Sequence, residues 1–218
     1  ISFKFLKRIE NRFNSDLSLN LDKKALLKGK LLVENLKTLK SNDVIFLSVI
    51  GLSVFWGVSQ GTMAVFPSYA KMYLNIDNTF IINGVIAASG IGIAIGSVLY
   101  AKISRHYIEL GTIPLAAFGM AITLYFSTLI ETPFMLAFNF LFFGIFGGLF
   151  VVPLNSLIQF NAKKKILGTV LAGNNWFHSL AMFLMLALTT FVSFYGLDPL
   201  KTLYIILFII VVGTLYTV

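Results

Sequence analysis

The sequence contains no cysteine. That absence excludes disulfides, thiolate zinc sites and cysteine nucleophiles. Charge is scarce: only 12% of the 218 residues are Asp, Glu, Lys or Arg, about half the share of an ordinary soluble domain. No H-E-x-x-H, G-x-S-x-G or P-loop pattern occurs, so the sequence offers no catalytic residue, no metal ligand set and no cofactor loop. The Gly-rich stretch GVIAASGIGIAIG lies inside a hydrophobic run rather than after a soluble strand, which argues against a dinucleotide loop. What fills the chain is apolar: 57% hydrophobic and 15% aromatic, with 22 Phe and a mean hydropathy of +0.87. A soluble globule of this size could not hide that surface, and a disordered chain would be poor in Phe, Ile and Leu. The composition is that of an integral membrane protein.

The charges are segregated. Residues 1–43 hold ten Lys and Arg, while residues 44–218 hold seven. Charge-free stretches cover 44–66, 78–101, 110–130, 132–162, 166–197 and 202–218. A spanning helix needs about 20 mostly apolar residues. The pattern predicts six helices, near 44–66, 79–102, 110–130, 133–156, 167–194 and 199–218. They are too long for barrel strands and lack period-two alternation. The fold class expected is an all-α integral membrane bundle of six transmembrane helices. Basic residues alternate between connections: one set of loops carries fifteen Lys and Arg, the other set two. The positive-inside rule puts the richer set, and both ends of the segment, in the cytoplasm. The net charge of +8 is thus a topology signal that also suits anionic lipid heads, rather than a nucleic-acid footprint.

Residues 1–43 read as a cytoplasmic basic linker. Within it Leu26, Leu27, Leu31, Val33, Leu36 and Leu39 recur at helical spacing, with the Lys30 stem beside them, so an amphipathic helix along the membrane surface is expected. The chain starts at Ile1, and its last stretch, YIILFIIVVGTLYTV, ends without a basic stop. The expectation is a fragment of a longer protein.

Two features mark the membrane interior. The first is a stripe of small residues on the second helix, Gly84, Ala88, Gly92 and Gly96, repeated by Gly144 and Gly148 on the fourth. Small residues at such spacing let two backbones approach closely, either as plain packing or as a sliding surface. The second is a set of uncharged polar residues. Trp56 and Gln60 lie on the first helix, Asn83 on the second, Asn139, Asn155 and Gln159 on the fourth, and Asn174, Asn175 and His178 on the fifth. Unpaired amides are costly in lipid, so each must face protein or a wet cavity. Each alone reads either as interhelical glue or as part of a cavity wall. The Asn174–Asn175–His178 cluster is too dense for one partner helix, and Asn174 and His178, four apart, share a face. No charged residue lies in the middle of a predicted span, so a coupling carboxylate is expected elsewhere.

Three stretches carry a family resemblance: LSVFWGVSQGTMAVFPSYAK on helix one, GGLFVVPLNSLIQFNAKKK ending helix four, and GTVLAGNNWFHSLAMFLML opening helix five. In this order they resemble the lysophospholipid transporter (LplT-type) family of the major facilitator superfamily. The loop GSVLYAKISRHYIELG is similar to a worn form of that superfamily's basic loop. The resemblance implies the C-terminal half of a two-bundle transporter, partnered by an N-terminal six-helix bundle and rocking around a central cavity. It implies a lysophospholipid substrate such as lysophosphatidylethanolamine, flipped from outer to inner leaflet of a bacterial inner membrane. It further implies an acyltransferase acting next, as a partner or as a fused domain. His106 and His178 lack the acidic residue five positions on that glycerolipid acyltransferases carry, so this segment would not be the enzyme. The other readings are a general drug or solute exporter of the same fold, the membrane module of a fused acyltransferase, and a self-assembling six-helix protein. One departure stands out: Met63 occupies a position where some lysophospholipid transporters have Arg, which places a phosphate contact from this helix in doubt.

Overall fold

The computed structural model describes residues 39–40, 42–105 and 107–217. The described residues form six α-helices: α1 Asp43–Tyr73, α2 Thr79–Ile103, α3 Thr112–Ser127, α4 Pro133–Asn161, α5 Leu167–Phe194 and α6 Pro199–Thr217. Most of the proposed basic linker, including Leu26, Leu27, Leu31, Val33 and Leu36, lies outside the described residues.

Local chemistry sets the helix starts. The side chain of Asn42 accepts a hydrogen bond from Ile45 N at 3.2 Å, and Asn78 accepts one from Phe80 N at 2.9 Å. Both relieve orphan donors of a first turn. Pro133 opens α4, where its missing N–H costs nothing. Asp198 Oδ1 accepts from Leu200 N at 2.8 Å at the start of α6.

Helix lengths differ from the hydropathy windows in two ways. Helices one and four run past the predicted ends near 66 and 156, to Tyr73 and Asn161, with Pro67 and Pro153 inside them. Packing holds these helices past the one hydrogen bond each proline removes. In the other direction, α3 has only 16 residues, because turns at 110–111 and 128–129 trim its window. At 1.5 Å per residue it covers roughly 24 Å, less than a hydrocarbon core of about 30 Å. α1, α2, α4 and α5 are each long and apolar enough to cross a membrane.

α1 is the central post, packing against α4, α5 and α6, while α2 and α3 both pack on α4. The tightest contact is α2 on α4. A Cβ at Gly92 would lie 2.9 Å from Gly144 Cα, and one at Gly148 would lie 2.7 Å from Ser97 N. Backbone meets backbone there, so no side chain fits. Gly84 does not belong to this seam: a Cβ there would meet nothing within 4 Å. The reason is geometric. A strict four-residue repeat drifts about 40° per step, so three steps carry Gly84 about 120° away from Gly96. The seam instead follows Ile82, Val85, Ser89, Gly92, Gly96 and Tyr100, all buried. Ala88 is partly buried beside it.

The two ends of the bundle differ in charge. At one end the Tyr69 hydroxyl donates to Thr128 O at 3.3 Å and the Tyr73 hydroxyl donates to Asp198. These contacts gather the ends of α1 and α3 with the start of α6. The charges at this end are Lys71, paired at 3.5 Å with Asp77, and Glu131, Asp198 and Lys201. The opposite, basic end carries Lys102, Arg105 and Lys163–Lys165, against Asp43 and Glu109.

Candidate functional site

Polar groups inside a membrane bundle normally spend their donors on their own helix. Ser48 and Ser53 do so, each donating to the carbonyl four residues back at 2.7 Å. Asn155 and Asn161 follow the same rule, donating to Val151 O at 3.0 Å and Leu157 O at 2.9 Å. Five buried side-chain atoms among the described residues have no hydrogen-bond partner: Ser59 Oγ, Thr62 Oγ1, Tyr100 OH, Asn174 Oδ1 and His178 Nε2. Four of the five lie on α1 and α5, which pack against each other. An unmet polar atom in such a place costs about 1–3 kcal/mol unless water or a ligand meets it.

The α1–α5 contact brings together part of the polar set predicted from sequence. Asn174 and His178 are buried on the α5 face toward α1. The His178 ring lies 6.4 Å, centroid to centroid, from the Trp56 indole at a tilt of 37°. Trp56, Gln60 and Met63 follow helical spacing along one open side of α1, with Trp56 36% and Met63 43% exposed and Gln60 half-buried. Gly57 permits the close approach: a Cβ there would sit 3.3 Å from Ala181 O. Further along the same interface lies a pocket of about 450 Å³ between α1, α5 and α6, edged by the hydroxyls of Ser68, Thr189, Thr190, Ser193 and Thr202. The seam therefore offers an indole and apolar wall beside a strip of acceptors and hydroxyls, an arrangement suited to an amphiphile.

The other predicted residues lie elsewhere. Asn139 Nδ2 donates to Thr123 O at 2.8 Å, tying α4 to α3. Asn155 spends its donor within α4, and Gln159 is exposed near the end of that helix. Asn83 is exposed on α2, on the side away from the α4 seam. Asn175 is adjacent to Asn174 but exposed, because successive helical residues point about 100° apart. The sequence did not mark Ser59 or Thr62. A hydroxyl that bonds its own helix and one that does not are identical in sequence, so only packing distinguishes them from Ser48 and Ser53.

The chain is similar to the lysophospholipid transporter LplT of Cronobacter sakazakii, 30% identical over 153 residues, covering 70% of this chain and 38% of that protein. The LplT of Klebsiella pneumoniae subsp. pneumoniae is 28% identical over 166 residues, covering 75% and 41%. That of Photorhabdus laumondii is 28% identical over 162 residues, covering 71% and 39%. The chain thus spans about two-fifths of the length of these relatives. No solved structure matches it. The family model of the Major Facilitator Superfamily matches residues 5–186, which takes in α1 to α4 and most of α5, and with the all-helical apolar bundle it establishes that this multi-pass membrane chain belongs to the Major Facilitator Superfamily.

Proposed function

We propose that the full protein moves lysophospholipid, such as lysophosphatidylethanolamine, from the outer to the inner leaflet of a bacterial inner membrane. In this reading the bundle is the C-terminal half of the transporter and rocks against an N-terminal six-helix bundle around a shared cavity. The basic end and both termini of the segment face the cytoplasm. The carrying observation is the α1–α5 seam, where the buried and unpartnered Asn174 Oδ1 and His178 Nε2 sit beside the Trp56 indole. A lysolipid needs donors and acceptors for its head and apolar wall for its tail, and this seam supplies both. The similarity to LplT proteins supports the same substrate class. The flipped lipid would pass to an acyltransferase, separate or fused.

Met63 supports a second reading. It stands on the open side of α1 and offers no cation to a phosphate, which suits an exporter of apolar drugs or solutes. One assay separates the two readings. The full protein is expressed in spheroplasts lacking their own lysolipid uptake, and labelled lysophosphatidylethanolamine is followed to the diacyl lipid made at the inner leaflet. Conversion that depends on the gene is the expected result. No conversion by protein shown to be folded in the membrane removes the lysolipid assignment and leaves the exporter.

A further inference from the structure

The fifth unpartnered atom lies far from the α1–α5 seam. Tyr100, only 3% exposed, stands in the last turn of α2 with its hydroxyl unmet. It lines an open cleft of about 800 Å³ at the basic end, formed by the end of α2, the α2–α3 connection, the end of α4 and Val44 of α1. Aliphatic and aromatic side chains dominate the lining, with Ile108, Leu110, Val152, Leu157 and Phe160 among them. Phe160 and Tyr107 are 81% and 68% exposed, as aromatic residues at a membrane–water boundary are.

Basic residues neighbour the lining in sequence. Lys102 and Arg105 flank the lining residues Ala101 and Ser104, and Lys163 follows the lining residue Asn161 by two positions. Lys164 and Lys165 continue that run. Among the described residues the acidic neighbours are Asp43, beside the lining residue Val44, and Glu109, whose carboxylate accepts from Gly111 N at 3.4 Å. The balance among the described residues is positive, and the buried hydroxyl of Tyr100, a lining residue, has no protein acceptor.

We propose that this cavity holds an anionic phospholipid of the leaflet that the basic end faces. The acyl chain lies along the apolar lining, the Tyr100 hydroxyl donates to a phosphate or ester oxygen, and Lys102, Arg105 and the lysine run attract the head group. This site is separate from the α1–α5 seam and does not depend on what the protein transports. Its assignment to the cytoplasmic leaflet rests on the orientation proposed above, but the binding itself does not.

The test uses the full protein, purified in mild detergent, with phosphatidylglycerol as the probe and phosphatidylcholine as the neutral control. Native mass spectrometry reads the lipid retained. Phosphatidylglycerol should be retained over phosphatidylcholine, and Tyr100→Phe should weaken that retention about tenfold, the loss of one hydrogen bond to a charged acceptor. Arg105→Gln should weaken it too and keeps the test open if the tyrosine variant misfolds. Because the hydroxyl has no protein partner, Tyr100→Phe should leave the lipid-free melting temperature unchanged while reducing the rise that phosphatidylglycerol produces. Equal retention by wild type and both variants overturns the proposal. So does photo-crosslinking from position 107 that captures residues 1–38 of the same chain in place of lipid.

Discussion

Replacing Asn174 by leucine removes an acceptor that has no donor in the folded protein. A scaffold residue and a site residue respond differently to that change. If Asn174 only holds the helices together, stability and transport fall in step. If it waits for a substrate, removing the unmet atom leaves stability unchanged or raises it. We expect Asn174→Leu and His178→Phe to keep or raise the melting temperature in detergent while lysolipid uptake drops about tenfold or more, the effect of one lost hydrogen bond in a desolvated site. Parallel losses of both would return these residues to packing. A second residue-scale prediction concerns Asp198. The Tyr73 hydroxyl, then Leu200 N and the nearby Lys201, hold its carboxyl below the usual carboxylate range. A depressed folded value means the unfolded chain binds the proton more readily, so stability falls as the solution is acidified. The contribution is complete above the ordinary carboxylate value of 3.8 and disappears as pH drops through the lower folded one. Both groups are exposed and screened, so the effect is small. Melting temperature followed from pH 6 down to about 3 should fall slightly less steeply in Asp198→Asn than in wild type; identical slopes would remove the interaction.

At the scale of elements, the α2–α4 pair can be read quantitatively. Gly92, Gly96, Gly144 and Gly148 each face backbone of the neighbouring helix, so an added side chain must push two helices apart. Gly144→Leu should cost about 1–3 kcal/mol or more. Gly84→Ala, with open space around it, should be neutral or stabilise by up to about 1 kcal/mol through the better helix former. Thermal unfolding of the two variants checks the pair, and a large loss in Gly84→Ala would contradict the seam as described. The same comparison explains what was legible in the sequence. Six apolar runs and the glycine spacing on α4 needed only composition and periodicity. Gly84 was assigned to the wrong face because a repeat of four was treated as straight, whereas a seam between two helices advances by alternating steps of three and four, as Ile82, Val85, Ser89, Gly92 and Gly96 do. The ends near 66 and 156 fell short for a different reason: a helix supported on several sides continues through Pro67 and past Pro153, and that support lies outside any local window. The polar set was legible as a set, but its division was not. Asn139 and Asn174 are alike in sequence; one donates to Thr123 O across α3–α4 and the other keeps a bare acceptor, which depends on the partner helix.

For the whole molecule, the decisive question is which end faces the cytoplasm, since the direction of lipid movement and the leaflet of the Tyr100 cavity both depend on it. The argument is electrostatic. The end around the α2–α3 and α4–α5 connections carries Lys102, Arg105 and Lys163–Lys165 against Asp43 and Glu109, while the end around the α1–α2, α3–α4 and α5–α6 connections carries Lys71 and Lys201 against Asp77, Glu131 and Asp198. Basic loops resist translocation and acidic ones do not. The three acidic connections must share one side, because Tyr69 bonds to Thr128 and Tyr73 to Asp198 across them. This makes the orientation a single binary choice. The absence of cysteine from the sequence makes it easy to read. On a cysteine-free background of the full protein, Asp77→Cys, Glu131→Cys and Leu197→Cys should react with a membrane-impermeant maleimide added to intact cells. Ser104→Cys and Lys164→Cys should react only after the membrane is opened. The reverse pattern would invert the topology, move the Tyr100 cavity to the outer leaflet and leave the basic loops without an explanation. Labelling of one acidic loop but not the other two would break the bundle itself, because the tyrosine contacts cannot form across a membrane.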